Sequence, residues 1–230
     1  MAHAAHNRQT TVQNLHHQGR TVAVTGASGS LGRALLIQLH AQGGRLIALT
    51  SSPEPLHLSD ADGQPIPVRQ VVWRCGQEQE LRAVLAEVDL LVLNHGVNVH
   101  GDRSAGATER SLEVNALSSW RLLELFGELA AVDAAAGDAQ SGRRPPRELW
   151  MNTSEAEIQP AVSPLYEISK RLQGQLLSLR SLDLAGPQLR IRRLVLGPFR
   201  SALNPIGVMS AGFVAREVLR QARWGCGLVI

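Results

Sequence analysis

A single-domain α/β fold, a doubly wound parallel sheet with helices on both faces, is predicted by three features of the sequence. Short β-branched or apolar runs alternate with longer helix-period stretches from Thr21 to the end. One run, Val88 to Leu93, is nearly all apolar, as a central parallel strand buried on both faces must be. The chain has 230 residues, 44% hydrophobic and 19% charged, enough for one large domain with a substantial core.

The elements follow in order. Thr21 to Thr25 reads as strand one. Helix one covers Ser30 to Gln42, where Leu31, Ala34, Leu35 and Leu39 make one apolar face and Gly43 and Gly44 stop it. Strand two is Leu46 to Thr50, followed by a Pro-rich surface turn or small hairpin from Pro53 to Pro67. Val71 to Arg74 is strand three, Gln77 to Glu87 a helix, and Val88 to Leu93 strand four. A long helix over Ser111 to Val132 leads to strand five at Leu149 to Thr153. Leu165 to Asp183 is a helix, Arg190 to Leu196 strand six, and Ala211 to Ala222 the last helix. Leu228 to Ile230 begins a strand and stops, so the domain 21–230 reads as trimmed at its last strand.

Residues 1–20 are polar and read as a flexible lead, unlike a secretory signal, and no apolar run reaches the roughly 18 to 20 residues of an integral membrane segment. His3, His6, His16 and His17 are too irregularly spaced to predict a metal site. Cys75 and Cys226 form no CxxC pair, which predicts neither disulfide nor zinc and suits a reducing, cytoplasmic setting. The net charge is only +3, and Arg143, Arg144 and Arg147 beside Pro145 and Pro146 read as a solvated loop, so no nucleic acid partner is expected.

The first strand–turn–helix carries Thr25, Gly26, Ala27, Ser28, Gly29, Ser30, Leu31 and Gly32. Gly26, Gly29 and Gly32 keep a G-x-x-G-x-x-G spacing, in which absent side chains let the backbone turn, approach a pyrophosphate and pack helix on strand. This points to a Rossmann-type nucleotide site, although glycine turns also serve ordinary strand-to-helix packing. At the end of strand two stand Thr50, Ser51 and Ser52 with no carboxylate to bind a ribose 2′-hydroxyl, which favours NADP(H) over NAD(H). Arg33 reads equally as a counter-charge to the 2′-phosphate or as a solvated helix-surface residue.

Tyr166 and Lys170 put a phenol and an ammonium one turn apart on one helix face. A cation there favours phenolate and makes the phenol a usable base, and Ser154 at the end of strand five is placed to bond a carbonyl oxygen. Asn115 lies in the long helix.

In order and context these motifs resemble the short-chain dehydrogenase/reductase family from Thr21 to Ile230. The resemblance implies a catalytic set of Asn115, Ser154, Tyr166 and Lys170. Tyr166 would be general acid in reduction and base in oxidation, Lys170 would lower its pKa and hold the nicotinamide ribose, Ser154 would orient the carbonyl, and Asn115 would support a proton path. Asn94, His95 and Gly96 match the family's Asn-Asn-Ala-Gly segment after strand four. Gly197 and Pro198 replace its Pro-Gly after strand six and complete the implied cofactor set. The activity implied is hydride transfer between NADP(H) and a small-molecule carbonyl or alcohol; the alternative left open is an inactive nucleotide-binding regulatory or scaffold protein. The two long helices imply a homodimer or homotetramer. More narrowly, Asn94 to Gly101, Asn152 to Glu157 and Leu196 to Met209 are similar to the reductase-like part of cyanobacterial proteins labelled bifunctional sterol desaturase/short-chain dehydrogenase.

Some features depart from the family. Arg74, Cys75 and Gly76 stand where an acidic residue usually contacts adenine. The segment Phe199 to Ser210, which covers the substrate in the family, is short, with Leu203, Ile206, Val208 and Met209 as candidate apolar lining. Glu155 and Glu157 read as solvated loop carboxylates, and His95 and His100 as loop polar residues without a partner motif.

Overall fold

The computed structural model describes residues 17–137 and 145–229. A sheet of seven parallel strands has the order β3-β2-β1-β4-β5-β6-β7. In chain order these strands are β1 Thr21–Thr25, β2 Arg45–Thr50, β3 Val68–Val72, β4 Leu90–Leu93, β5 Arg147–Ser154, β6 Leu189–Leu196 and β7 Leu228–Val229. The chain runs outward through β1, β2 and β3, then returns to β4 on the other side of β1. The loops after β1 and β4 therefore part, and a crevice opens between them at the carboxyl ends of the strands.

Both faces of β1 and β4 are buried, which is why they read as apolar runs. Helices α1 (Ser30–Ala41) and α6 (Ala211–Arg223) cover one face, Leu35, Leu36 and Leu39 meeting Val214, Val218 and Leu219 in one core. The opposite core joins Leu85 of α2 (Arg82–Ala86), Leu122 and Phe126 of α4 (Ser118–Gly137) and Leu177 of α5 (Pro164–Leu184) to the sheet.

Several expectations need correction. Strand three begins at Val68, directly after Pro67, and stops at Val72, because its register pairs Val72 with the last residue of β2; Trp73 leaves the strand and buries its ring. The helix expected over Gln77 to Glu87 is a 3₁₀ turn (Glu78–Leu81) followed by the short α2. The helix expected from Ser111 starts as α3 (Ala105–Leu112), where the Ser104 side chain caps the Ala107 N–H, and joins α4 through a π-turn at Glu113–Leu117. Its first turns bury only Ala107 and Ser111, so they carry no apolar periodicity to read. Finally, the lead gives way by His17, which is buried with its ring edge-on to Trp150, while Arg20 pairs with buried Glu148.

Arg147 is the sharpest correction to the solvated-loop reading; Arg143 and Arg144 lie outside the described residues. Arg147 opens β5 at 2% exposure, with Nε on Asp133 at 2.7 Å, Nη1 donating to the Leu85 and Val88 carbonyls and Nη2 to that of Ala86. It caps the carboxyl end of α2. Glu157 is likewise buried, ion-paired with Arg193 and packed where a side chain on Gly174 would stand.

Candidate active site

The crevice between the loops after β1 and β4 is a cleft of about 680 Å³. One wall is the glycine turn. Gly26 has φ +60, and a Cβ there would lie 2.9 Å from the His95 Cα; a Cβ on Gly32 would stand 2.3 Å from the Gly26 carbonyl oxygen. Gly26 thus admits close approach of the β4 loop, and Gly32 admits helix against turn. The cleft is lined by Gly26, Ser28, Gly29, Ser30, Leu31, Ser51, Asn94, His95 and Gly96 of the sequence-predicted set. Gly32, Thr50, Ser52, Gly197 and Pro198 are outside that lining. Thr50 is buried, donating to the Ser28 hydroxyl and accepting from the Ser52 N–H, so of the three β2-end residues only Ser51 faces the cleft. Arg33 donates to the His57 carbonyl at 2.6 Å and also lies off the lining.

Sequence reasoning did not pick out Trp73, Arg110, Phe199 and Ser201, which line the cleft with Arg74 and Cys75. Their elements were misplaced or unassigned, so no periodicity marked them. Of the apolar lid candidates only Leu203 lines the cleft. Met209 packs on the core beneath Gly197, while Ile206 and Val208 point to solvent.

His95 shows how the wall is built. Thr25 Oγ1 accepts from the N–H groups of Asn94 (2.8 Å) and His95 (3.2 Å), which uses both lone pairs. Its proton then points to the His95 Nδ1 at 2.8 Å in preference to the Val92 carbonyl at 3.3 Å, leaving Nε2 protonated. That Nε2–H is buried with no partner in the structure, although the residue as a whole is half-open. Burial, then the Lys170 ammonium, pull the imidazole pKa down to about 4. The folded state therefore binds fewer protons than the unfolded chain between about pH 4 and 6.5, so the stability this neutral ring contributes is lost as pH falls through that window. We expect His95→Gln to flatten the acid limb of a melting-temperature profile by an equivalent of roughly 1–3 kcal/mol. Parallel wild-type and variant limbs between those pH values would contradict this.

The candidate catalytic group adjoins the cleft at Gly96, whose Cβ would stand 3.2 Å from Asn115 Oδ1 and 3.9 Å from the Lys170 amine. Tyr166 is hydrogen-bonded to Ser154, and that bond lowers its pKa; burial outweighs it and, with the Glu155 carboxylate, holds the phenol above its ordinary value. Lys170 is buried, which lowers its pKa to about 8. Its ammonium lies 5.8 Å from the Tyr166 ring centroid and donates to Gln173 Oε1 at 2.9 Å and to the Asn152 carbonyl at 3.4 Å. Gln173, one turn further along α5, was not foreseen, although its i+3 spacing from Lys170 was visible. Asn115, in the π-turn, grips the β4 loop by accepting from the Val97 N–H and donating to the Val97 carbonyl and Ser169 hydroxyl. It is joined to that loop, not to Lys170.

A parallel sheet with its cleft at the switch point, a glycine turn into α1 and a Ser-Tyr-Lys group beside it define the short-chain dehydrogenase type of dinucleotide-binding fold. The NAD dependent epimerase/dehydratase family matches residues 22–178, and the chain belongs to that family. The monoglucosyldiacylglycerol epimerase of Synechocystis sp. (strain ATCC 27184 / PCC 6803 / Kazusa) is 49% identical over 203 residues, 88% of this chain and 47% of that protein. The chain thus spans about half the length of the curated relative it matches. Among solved structures, a short chain dehydrogenase from Burkholderia cenocepacia J2315 in complex with NADP has a TM-score of 0.76 at 19% identity, covering 94% of this chain and 89% of that one. The ligand-free aldohexose dehydrogenase of Thermoplasma acidophilum has a TM-score of 0.73 at 17% identity, with 95% and 94% covered. These likenesses establish the fold.

The cleft fits a dinucleotide. The glycine turn is a cradle that side chains would fill, the uncapped amino end of α1 and the Arg74 and Arg110 guanidiniums suit phosphates, and His95 Nε2–H is a buried donor without an acceptor. Among the described residues no His/Cys/Asp/Glu cluster could hold a metal ion, both cysteines are free thiols, and no helix is long and apolar enough to cross a membrane. His3, His6 and His16 lie outside those residues.

Proposed function

We propose that the chain is the dinucleotide-binding, catalytic half of an epimerase that inverts one carbinol carbon in the sugar of a monoglucosyldiacylglycerol-type lipid. The observation that carries this is Tyr166, hydrogen-bonded to Ser154 and one turn from Lys170, whose amine adjoins the cleft at Gly96. The 49% identical epimerase supports the choice of a sugar lipid. A bound oxidised nicotinamide supplies a hydride acceptor and, once reduced, the donor. The chain's own work concerns the proton. Tyr166 Oη takes it from the carbinol oxygen as the carbonyl forms and returns it as the carbonyl is reduced from the opposite face. Ser154 donates a hydrogen bond to that oxygen, Lys170 holds positive charge over the face of the phenol ring, and Asn115 fixes the β4 loop. Taken only halfway, this is the carbonyl/alcohol oxidoreduction read from the sequence.

Supplied with the lipid and a trace of NADP⁺, the protein should change the sugar's configuration without net consumption of dinucleotide. A keto-lipid formed in step with reduced dinucleotide would instead make it a dehydrogenase.

NADP(H) is the cofactor we favour, since no carboxylate lines the described cleft and Ser51, Arg74 and Arg110 do. Titration followed by nicotinamide fluorescence should show NADPH binding at least about tenfold tighter than NADH; equal affinities would remove the preference. We also read the chain as the reductase-like part of a longer two-part protein, and its free thiols suit a cytoplasmic setting. Ile168, Leu172, Leu176, Leu179 and Leu182 form a partly exposed apolar stripe along α5, which supports a homodimer or homotetramer. Light scattering that finds only monomer at micromolar concentration would exclude both.

A further inference from the structure

We propose that Glu78 is a positioning residue for the adenosine half of the dinucleotide, bracing the wall from Trp73 to Gly76 against α4. The inference rests on the dinucleotide reading of the cleft. In a fold of this type the pyrophosphate sits at the glycine turn, and the 2′ position of the adenosine ribose faces the end of β2. β3 is the neighbour of β2 on the side away from β1, so Trp73, Arg74 and Cys75, which follow β3 and line the cleft, wall its adenosine side.

The sheet holds only the first of these residues. The Trp73 N–H donates to the Thr50 carbonyl at 2.9 Å, and the Trp73 ring meets that of His95 edge-on at 5.3 Å, which ties it to the β4 loop. Beyond it the strand ladder has ended, and Gly76, at φ +95, turns the chain into the 3₁₀ turn that Glu78 opens. The buried Glu78 carboxylate reaches back across this bend. Its Oε1 accepts from the Gly76 N–H at 2.9 Å and from the Ser118 hydroxyl at 2.6 Å, and its Oε2 accepts from Arg121 Nε at 2.6 Å. Ser118 and Arg121 stand one turn apart at the start of α4, so that helix presents both donors together.

The brace extends to the wall itself. The Cys75 thiol is hydrogen-bonded to Ser118, whose single hydroxyl proton goes to the carboxylate, so the thiol donates and the chain runs from Cys75 through Ser118 to Glu78. Burial, with the Glu78 and Glu113 carboxylates, raises the thiol's pKa and keeps that proton in place. Burial also pushes the Glu78 pKa up, but the bonds from Arg121, Ser118 and Gly76 outweigh it and hold the carboxyl below its ordinary value, an acceptor for all three at neutral pH. Glu78 does not line the cleft. It acts through Cys75 and Gly76, whose positions set the width of the adenosine side.

The test is calorimetric binding of adenosine 2′,5′-bisphosphate, the adenosine half of NADPH, to the full chain, with alkylation of Cys75 by iodoacetamide as a footprint. The bisphosphate should slow alkylation of Cys75 and leave that of Cys226, just before β7 at the opposite end of the sheet, unchanged. Glu78→Gln offers one acceptor oxygen in place of two and should weaken bisphosphate binding about tenfold while speeding Cys75 alkylation. Ser118→Ala, which leaves the Arg121 pair in place, should weaken binding about threefold and decides the matter alone if Glu78→Gln does not fold. A brace that serves stability alone would lower the melting temperature and leave the affinity of the folded protein as it was. That result, or a Cys75 alkylated as fast with the bisphosphate as without it, overturns the proposal. Wild-type protein that binds neither NADPH nor the bisphosphate overturns the dinucleotide reading as well; NADPH binding that both substitutions leave intact overturns this inference alone.

Discussion

Tyr166→Phe should lower turnover by about 10²- to 10⁴-fold, or roughly 3–5 kcal/mol in the barrier, while dinucleotide affinity stays within about twofold. The substitution removes one oxygen from a ring whose packing it leaves in place, and Tyr166 is off the cleft lining, so the fold and the nucleotide walls are untouched. What is lost is the atom to which we assign the proton transfer. Burial alone disfavours a phenolate here, and the Lys170 ammonium lies over the ring, not beside Oη, so the chain by itself does not make this tyrosine a strong base. A bound oxidised nicotinamide would supply further positive charge. Tyrosine ionisation followed by ultraviolet difference absorbance should accordingly begin at lower pH with NADP⁺ bound than without it. Because Tyr166 is the chain's only tyrosine, that signal is unambiguous. Full turnover in the Phe variant would discard the proton-transfer role and move the chain toward a nucleotide-binding scaffold.

How far the sequence reveals such a site depends on what each residue does there. Gly26, Gly29 and Gly32, and Tyr166 with Lys170, are legible because their spacing is local: one turn of backbone or one turn of helix fixes the relation. The central strands are legible because burial on both faces leaves no alternative to apolar residues. Other parts depend on contacts distant in sequence. The bond of Asn115 to the backbone of Val97 is a contact created by the π-turn, which nothing local in the sequence marks. Trp73 and Arg110 reach the cleft from the end of an edge strand and from a weakly apolar helix, neither of which carries periodicity. Glu157 is a charge that only a fold can bury, since its pairing with Arg193 crosses from the β5 loop to β6. As a loop carboxylate, Glu157 reads as solvated in the sequence.

Arg147→Ala should cost about 3–5 kcal/mol of folding stability, the largest effect expected of any substitution away from the active site. The residue was read from its neighbours as part of a solvated cluster, and the structure buries it in a socket of acceptors. Its guanidinium satisfies the Leu85, Ala86 and Val88 carbonyls at the end of α2, pairs with Asp133 of α4 and stacks 5.3 Å from the Phe126 ring centroid. Truncation leaves those carbonyls without a donor and opens a space beside Phe126, and both losses act in the same direction. Arg147→Lys keeps the charge but not the fork, and should recover less than half of the loss. A single domain commonly has only about 5–15 kcal/mol in hand, so the Ala variant should show a much lower urea midpoint with an unchanged slope. Arg147 begins β5, at the end of the sheet opposite the cleft, so protein that remains folded should bind NADPH as the wild type does. A midpoint shift equivalent to less than about 1 kcal/mol would mean that the socket is filled as well by water as by the guanidinium.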